Sequence, residues 1–188
     1  MLTAGATARA RPRIPRAGTG GPERCVTTLR VVAATPAVNV LTRAKVAHTL
    51  HPYDPEHPSD QGHGEAAAAA LGADPRQVFK TLIARVDGAL TVAVVPVSGT
   101  LDLKALAAAV GARKAVMADP ADAERSSGYV LGGISPLGQR KALPTVVDAS
   151  ALDFATVLVS AGRRGLQVEL PPADLVRLTK ARTAPIGR

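Results

Sequence analysis

Residues 78–97 read VFKTLIARVDGALTVAVVPV, and this stretch decides the fold class. Two runs rich in β-branched and apolar residues, Val78–Val86 and Ala89–Val97, flank Asp87-Gly88. That dipeptide suits the positive φ angles of a two-residue hairpin, so the stretch predicts two antiparallel strands. The second run, ALTVAVVPV, is almost wholly apolar, as a strand buried on both faces must be, which predicts a central strand.

Outward from the hairpin, helix and strand signals alternate without a regular βαβ repeat. Upstream, Thr35 as N-cap and Pro36 at the first helical position open a helix reaching about residue 46. Ala47–Tyr53 alternates as a strand, Asp54–Ser59 is a Pro-rich loop, and Gln61–Leu71 is an Ala-rich helix ended by Gly72. Downstream, Leu101–Val110 is a helix ended by Gly111, and Asp119 caps another that begins at Pro120. Gly128–Gly138, GYVLGGISPLG, is a shaped loop dense in glycine. Short strands follow at Pro144–Asp148, Thr156–Ser160 and Leu166–Leu170, then a helix opened by Pro171-Pro172 and reaching about residue 180. The segment after Ala181, 183–188 above all, reads as a loose tail. The expectation is a single compact α/β (α+β) domain over 35–182, with a mixed, mostly antiparallel central sheet and surrounding helices.

Composition narrows the class. The chain has 188 residues, enough for one domain with a real core, and 46% are apolar against 2% aromatic, so that core is aliphatic. The net charge of +8 is uneven. Residues 1–34 carry six arginines and one acid, Glu23, whereas the other 154 carry 17 basic and 14 acidic side chains. The leader has no apolar period and reads as disordered. An organellar transit peptide, an upstream translation start and an inert tail are the alternatives for it. The single cysteine, Cys25, permits no internal disulfide and no Cys-based zinc cluster, which points to a reducing, cytoplasmic setting. No apolar run approaches the roughly 20 residues that span a bilayer, so no membrane partner is expected.

HExxH, CxxC, a Walker loop and GxSxG are absent. His48, His51, His57 and His63 read as scattered surface histidines rather than a zinc site, so no metal and no cofactor are expected. Without a metal or an obvious nucleophile, the chemistry that fits is cleavage of an already activated bond. An aminoacyl ester of tRNA is one; it needs positioning and donors for the developing oxyanion. Two features suit it. Lys80 lies inside a strand beside Phe79, one of only two phenylalanines; its alternative is a place on the solvent face. In Gly132-Gly133-Ile134-Ser135-Pro136 the glycines allow close backbone approach to a ligand and Pro136 stiffens the exit; the alternative is an ordinary tight connection.

Five blocks occur in order: TPAVNVL (35–41), VFKTL (78–82), PVSGTLDLKALA (96–107), MADPADAERSSGYVLGGISPLGQRKALPTVVD (117–148) and LVSAGRRGLQVEL (158–170). In this combination the sequence resembles the YbaK family of aminoacyl-tRNA deacylases, related to the editing insertion domain of bacterial prolyl-tRNA synthetases. The resemblance runs from about Thr35 to about Lys180. It implies the editing-domain fold and cleavage of mischarged Cys-tRNA(Pro), with Cys-tRNA(Cys) a further substrate. Such a second site is needed because a methylene or two gives a synthetase too little discrimination. It also implies that the substrate's own thiol attacks its carbonyl, leaving a thiolactone and free tRNA, so that the deacylase, a carboxylic ester hydrolase, is classed as a lyase where it forms the thiolactone.

The resemblance assigns roles. Lys80 matches the family's critical lysine and is implied to bind the terminal nucleotide or orient its oxygens. Gly132–Pro136 matches the GxxxP loop, with Gly132 catalytic beside Lys80 and Gly133, Ile134, Ser135 and Pro136 holding the aminoacyl carbonyl and amine. Tyr53, Phe79, Thr81 and Ser160 are implied to shape the substrate pocket. The implied partners are the 3′ acceptor end of tRNA and prolyl-tRNA synthetase, not DNA. Ala161 departs from an expected second glycine, and Gln167 stands where some relatives carry an acid; both bear on amino-acid preference more than on reaction class. Arg113, Lys114, Arg140, Lys141, Arg163 and Arg164 are either acceptor-stem contacts or a solvated basic face. Two alternatives stay open: a deacylase for another small amino acid such as Ala, and a non-catalytic module that binds tRNA or the synthetase. A serine hydrolase using Ser126, Ser127 or Ser135 with a histidine has no elbow or triad spacing behind it.

Overall fold

The computed structural model describes residues 34–55 and 62–188. In chain order these form α1 (Pro36–Arg43), β1 (Thr49–Pro52), α2 (His63–Leu71), β2 (Val78–Val86), β3 (Ala89–Pro96), α3 (Leu103–Ala109), β4 (Ala115–Met117), α4 (Pro120–Ser127), β5 (Thr145–Asp148), β6 (Val157–Arg163), β7 (Leu166–Leu170), α5 (Pro172–Thr179) and β8 (Arg182–Ala184). The leader with Cys25, His57 and most of the Pro-rich loop lie outside the described residues.

The predicted hairpin forms. Asp87 (φ 44°) and Gly88 (φ 89°) both take the left-handed conformation that its turn requires. The pairing runs in register from Val86–Ala89 to Phe79–Pro96. The Asp87 carboxylate also accepts the Arg113 and Lys114 amides at 2.9 and 3.0 Å, so the turn residue anchors the start of β4. The strand order is β1-β7-β6-β2-β3-β5-β8, with β4 joining the edge of β2. Four ladders are antiparallel (β1–β7, β6–β7, β2–β3, β2–β4) and three parallel (β2–β6, β3–β5, β5–β8), so the sheet is mixed, as expected.

On one face of the hairpin, Val78 and Val97 pack with Ala68 of α2 and Leu158. Further along the same face, Ala84, Val86, Ala93 and Val95 pack with Leu106 and Ala107 of α3. Phe79, Ile83, Val92 and Val94 alternate to the other face and are equally buried, which explains the continuous apolar run of β3. The helices start where side chains can cap them: Thr35 Oγ1 accepts from the Val38 amide, and Asp119 Oδ1 from the Ala121 amide.

Three expectations are corrected. The helix expected from Leu101 begins at Leu103, because the Asp102 carboxylate takes the N-cap by accepting from the Lys104 and Ala105 amides. Leu101 instead bridges to Gly187. The helix expected to reach residue 46 ends at Arg43, where Lys45 (φ 54°) turns the chain. The tail expected to be loose is β8, parallel to β5, followed by a fully buried Ile186. Its anchor is Asp148, whose carboxylate accepts the Ile186 and Gly187 amides at 2.8 and 2.6 Å.

Candidate active site

The outer edge of β2 is shared. β6 pairs with its first residues, Val78 and Phe79, and β4 with its last, Ala84–Val86. No strand runs beside Lys80–Ile83, and a cavity of about 430 Å³ occupies that gap. The β2–β3 register turns the peptide groups of even-numbered β2 residues toward β3, as the Val97 N–H to Val78 O bond (2.8 Å) shows. Thr81 and Ile83 therefore face the gap. The Ile83 carbonyl is taken by the Ala118 N–H at 3.0 Å. The Thr81 Oγ1 is buried without a partner.

Strand register builds the floor of the site. Val78 pairs with Leu158 and Phe79 with Val159, the last pair of that ladder, and Lys80 and Ser160 are the next residues on the two strands as they part. Ser160 in turn lies opposite Gln167 on β7. Lys80, Ser160 and Gln167 thus follow one another across β2, β6 and β7. All three line the cavity.

Two segments roof these residues. The Ser160 hydroxyl donates to the Gly133 carbonyl at 3.0 Å and holds the glycine loop above it. Gly132 has φ 78°, and a Cβ there would lie 2.3 Å from Cδ2 of His63, at the start of α2. Only glycine fits where loop and helix meet. Two residues on, Glu65 Oε1 stands 3.6 Å from Lys80 Nζ, with both side chains about three-quarters buried. The cavity therefore holds one cation and one carboxylate partly shielded from water.

The loop itself is tied at several points. The Tyr129 hydroxyl donates to the Leu137 carbonyl at 2.8 Å, and burial pushes its phenol pKa up to about 12, so it stays a donor. Glu124 accepts the Leu131 amide, and Arg164 Nε donates to the Leu131 carbonyl, each at 2.8 Å. Such restraint lets backbone groups act as preorganised partners for a substrate.

Of the residues predicted to form the site, Lys80, Phe79, Thr81, Gly132, Ile134 and Ser160 line the cavity. Gly133 lies behind it and offers its carbonyl to Ser160. Ser135 and Pro136 are buried in the loop, where Ser135 Oγ accepts the Leu137 amide. Tyr53 stands apart at the β6–β7 turn, its amide donating to the Gly165 carbonyl at 3.0 Å. Among the polar lining residues outside that set are His63, read from the sequence as a surface histidine, Gln167, noted only as a departure from relatives, and Glu65, which the sequence analysis did not single out. His63 is exposed, as expected, yet its ring abuts Gly132. Ser126 and Ser127 are buried and donate to the Ala123 carbonyl. Among the described residues no three His, Cys, Asp or Glu side chains are grouped to hold a metal ion, and no helix is long and apolar enough to cross a membrane.

Residues 60–178 match the family described as "Aminoacyl-tRNA editing domain". The chain is 40% identical over 129 residues to the "Putative Cys-tRNA(Pro)/Cys-tRNA(Cys) deacylase EbsC" of Enterococcus faecalis, covering 68% of this chain and 78% of that protein. Among solved structures, a "putative trans-editing enzyme for prolyl tRNA synthetase" superposes with a TM-score of 0.69 at 23% identity, covering 82% of this chain and 96% of the other. The "hypothetical protein APE2540" gives 0.72 at 24%, covering 82% and 100%; these two likenesses establish the fold. The family match spans well over half of the chain, and its residues include both Lys80, Ser160 and Gln167 and the glycine loop above them: the chain belongs to the aminoacyl-tRNA editing domain family.

Proposed function

We propose that this chain is a trans-acting deacylase that clears cysteine from Cys-tRNA(Pro), and from Cys-tRNA(Cys), without a protein nucleophile. The observation that carries the reading is Lys80 held in a cavity beneath a braced glycine loop, inside the region matched to the editing family. Lys80 is suited to the terminal nucleotide's oxygens. The backbone of the Gly132–Pro136 loop is suited to the aminoacyl carbonyl and amine. No serine hydroxyl on the loop or its flanks is paired with a histidine, and those of Ser126, Ser127 and Ser160 donate to backbone carbonyls.

In the proposed step the cysteine sulfur of the substrate attacks its own ester carbonyl. A carbon–sulfur bond forms, the carbon–oxygen bond to the ribose breaks, and the thiol proton ends on the ribose oxygen. The products are a cyclic thiolactone and free tRNA. Positioning and charge are all the protein need supply for such a step. Prolyl-tRNA synthetase is the proposed partner that hands over the tRNA.

The test is release of cysteine from preformed Cys-tRNA(Pro), with Ala-tRNA(Pro) and Ser-tRNA(Pro) alongside. Loss of cysteine alone supports thiol-assisted cleavage. Loss of alanine or serine requires water as the nucleophile. Loss of none leaves a non-catalytic tRNA- or synthetase-binding module. Lys80→Ala should abolish release while the fold persists, because Lys80 lines the cavity rather than the packed core and its one ion pair, to Glu65, is long at 3.6 Å. Normal turnover by that variant refutes the assignment.

A further inference from the structure

The proposed step moves a proton from the substrate sulfur to the ribose oxygen and names no carrier for it. Once sulfur has attacked, both atoms are bonded to the same carbon. Direct passage would close a four-membered ring of sulfur, carbon, oxygen and hydrogen, far from the near-linear geometry that a shared proton favours. A carrier beside the carbonyl removes that bend. An imidazole is the side chain best suited to take and give a proton near neutral pH.

Among the described residues that line the cavity, the ionisable ones are His63, Glu65 and Lys80. Glu65 and Lys80 face each other at 3.6 Å. His63 is exposed, so it stands at the mouth of the cavity, open to an entering substrate. Gly132 sets how the ring lies. A Cβ on that glycine would be 2.3 Å from Cδ2 and 2.8 Å from Nε2, so the edge bearing Nε2 is turned onto the loop backbone. That backbone is the one suited to the aminoacyl carbonyl, and an imidazole packed against it reaches the atoms that exchange the proton. Glu124 and Arg164 are the charged groups on the loop side, where they bond the Leu131 backbone beside Gly132. With Glu65 and Lys80 they make two charges of each sign. We propose that His63 carries the proton of the cleavage. Its Nε2 takes the thiol proton as the carbon–sulfur bond forms, and returns it to the ribose oxygen as the carbon–oxygen bond breaks. The ring ends as it began, so no co-reactant is consumed. This deepens the deacylase reading and rests on it.

The experiment measures single-turnover release of cysteine from Cys-tRNA(Pro) between about pH 5.5 and 8.5, which spans ordinary imidazole and thiol ionisation. It compares the full chain with His63→Gln, which keeps most of the ring's bulk, and with His63→Ala, with and without added imidazole. Thermal unfolding is recorded for each. Near neutral pH both variants should release cysteine about a hundredfold more slowly, the lower end of general acid–base catalysis. Their rates should recover as pH rises toward about 8.5, with a slope of about one in log rate, because solvent then supplies the thiolate. Added imidazole should restore turnover to His63→Ala. Wild-type rate and pH profile in the variants overturn the proposal. So does a loss that keeps the wild-type pH profile and that imidazole does not restore, which would make the ring mere packing for Gly132. If His63→Ala unfolds early, the pH profile of His63→Gln decides in the same two ways. Failure of the wild type to release any amino acid removes the deacylase reading and this inference together. An active wild type matched by its variants removes only this one.

Discussion

Lys80, Gly132 and His63 show how little of a site resides in any one residue. Lys80 has a defined position because Val78 and Phe79 pair with β6 on one side and β3 pairs on the other. Gly132 tolerates its φ of 78° because it has no Cβ, and the space a Cβ would fill belongs to the His63 ring. Gly132→Ala should cost about 1–2 kcal/mol for the left-handed conformation and push the ring aside. Its turnover should fall at least tenfold, read by single-turnover deacylation and thermal unfolding. Adding His63→Ala should relieve the steric contact and leave the backbone strain. Recovery of full stability in the double variant would show that the strain is negligible.

At the scale of elements, the two shortest strands are held by side chains rather than by propensity. β4 is anchored by the Asp87 carboxylate and β8 by that of Asp148. Burial raises the Asp148 pKa, but the Ser150 hydroxyl and the amides of Gly187, Ser150 and Ile186 outweigh it and hold the carboxyl below its ordinary range. A depressed carboxyl contributes stability that is complete above its unfolded pKa, near 4, and is lost as pH falls through the lower folded value. The wild-type unfolding midpoint should therefore drop as the pH falls below about 4. Glu169, lowered by the Thr156 hydroxyl and by His51, acts in the same direction. Asp148→Asn should cost about 1–3 kcal/mol at neutral pH and show a shallower acid dependence. An unchanged acid slope would mean that Asp148 does not couple the C-terminal strand to protonation.

For the molecule as a whole, charge near the site is the feature to test. Arg163 packs its backbone against Gly133, and Arg140 lies over Gly128, so both exposed guanidinium groups flank the glycine loop. Arg113 and Lys114 sit at the end of the β2–β3 hairpin. If the first pair contacts acceptor-stem phosphates, Arg140→Ser with Arg163→Ser should raise KM for tRNA several-fold and leave kcat unchanged. The slope of log KM against log salt should fall by about 1–2, roughly one per lost phosphate contact. An unchanged slope would identify these arginines as a merely solvated face.

Much of this was legible in the chain itself. The hairpin, the Thr35 and Asp119 caps and the mixed fold rest on local patterns: period, turn chemistry and capping, each within a few residues; the roles expected of Lys80 and Gly132 came from the family resemblance instead. β4 and β8 left no such trace, since three residues are too few to show a period and their partners lie far along the chain. The same reason hid Glu65 and left His63 and Gln167 without a place in the cavity. Each enters the cavity only because register and packing bring α2, β7 and the glycine loop to the gap in β2. Local sequence determined most of the elements. Tertiary structure alone decided that β6 and β4 stop short of each other, because long-range pairing on the edge of β2 leaves the opening in which the site is built.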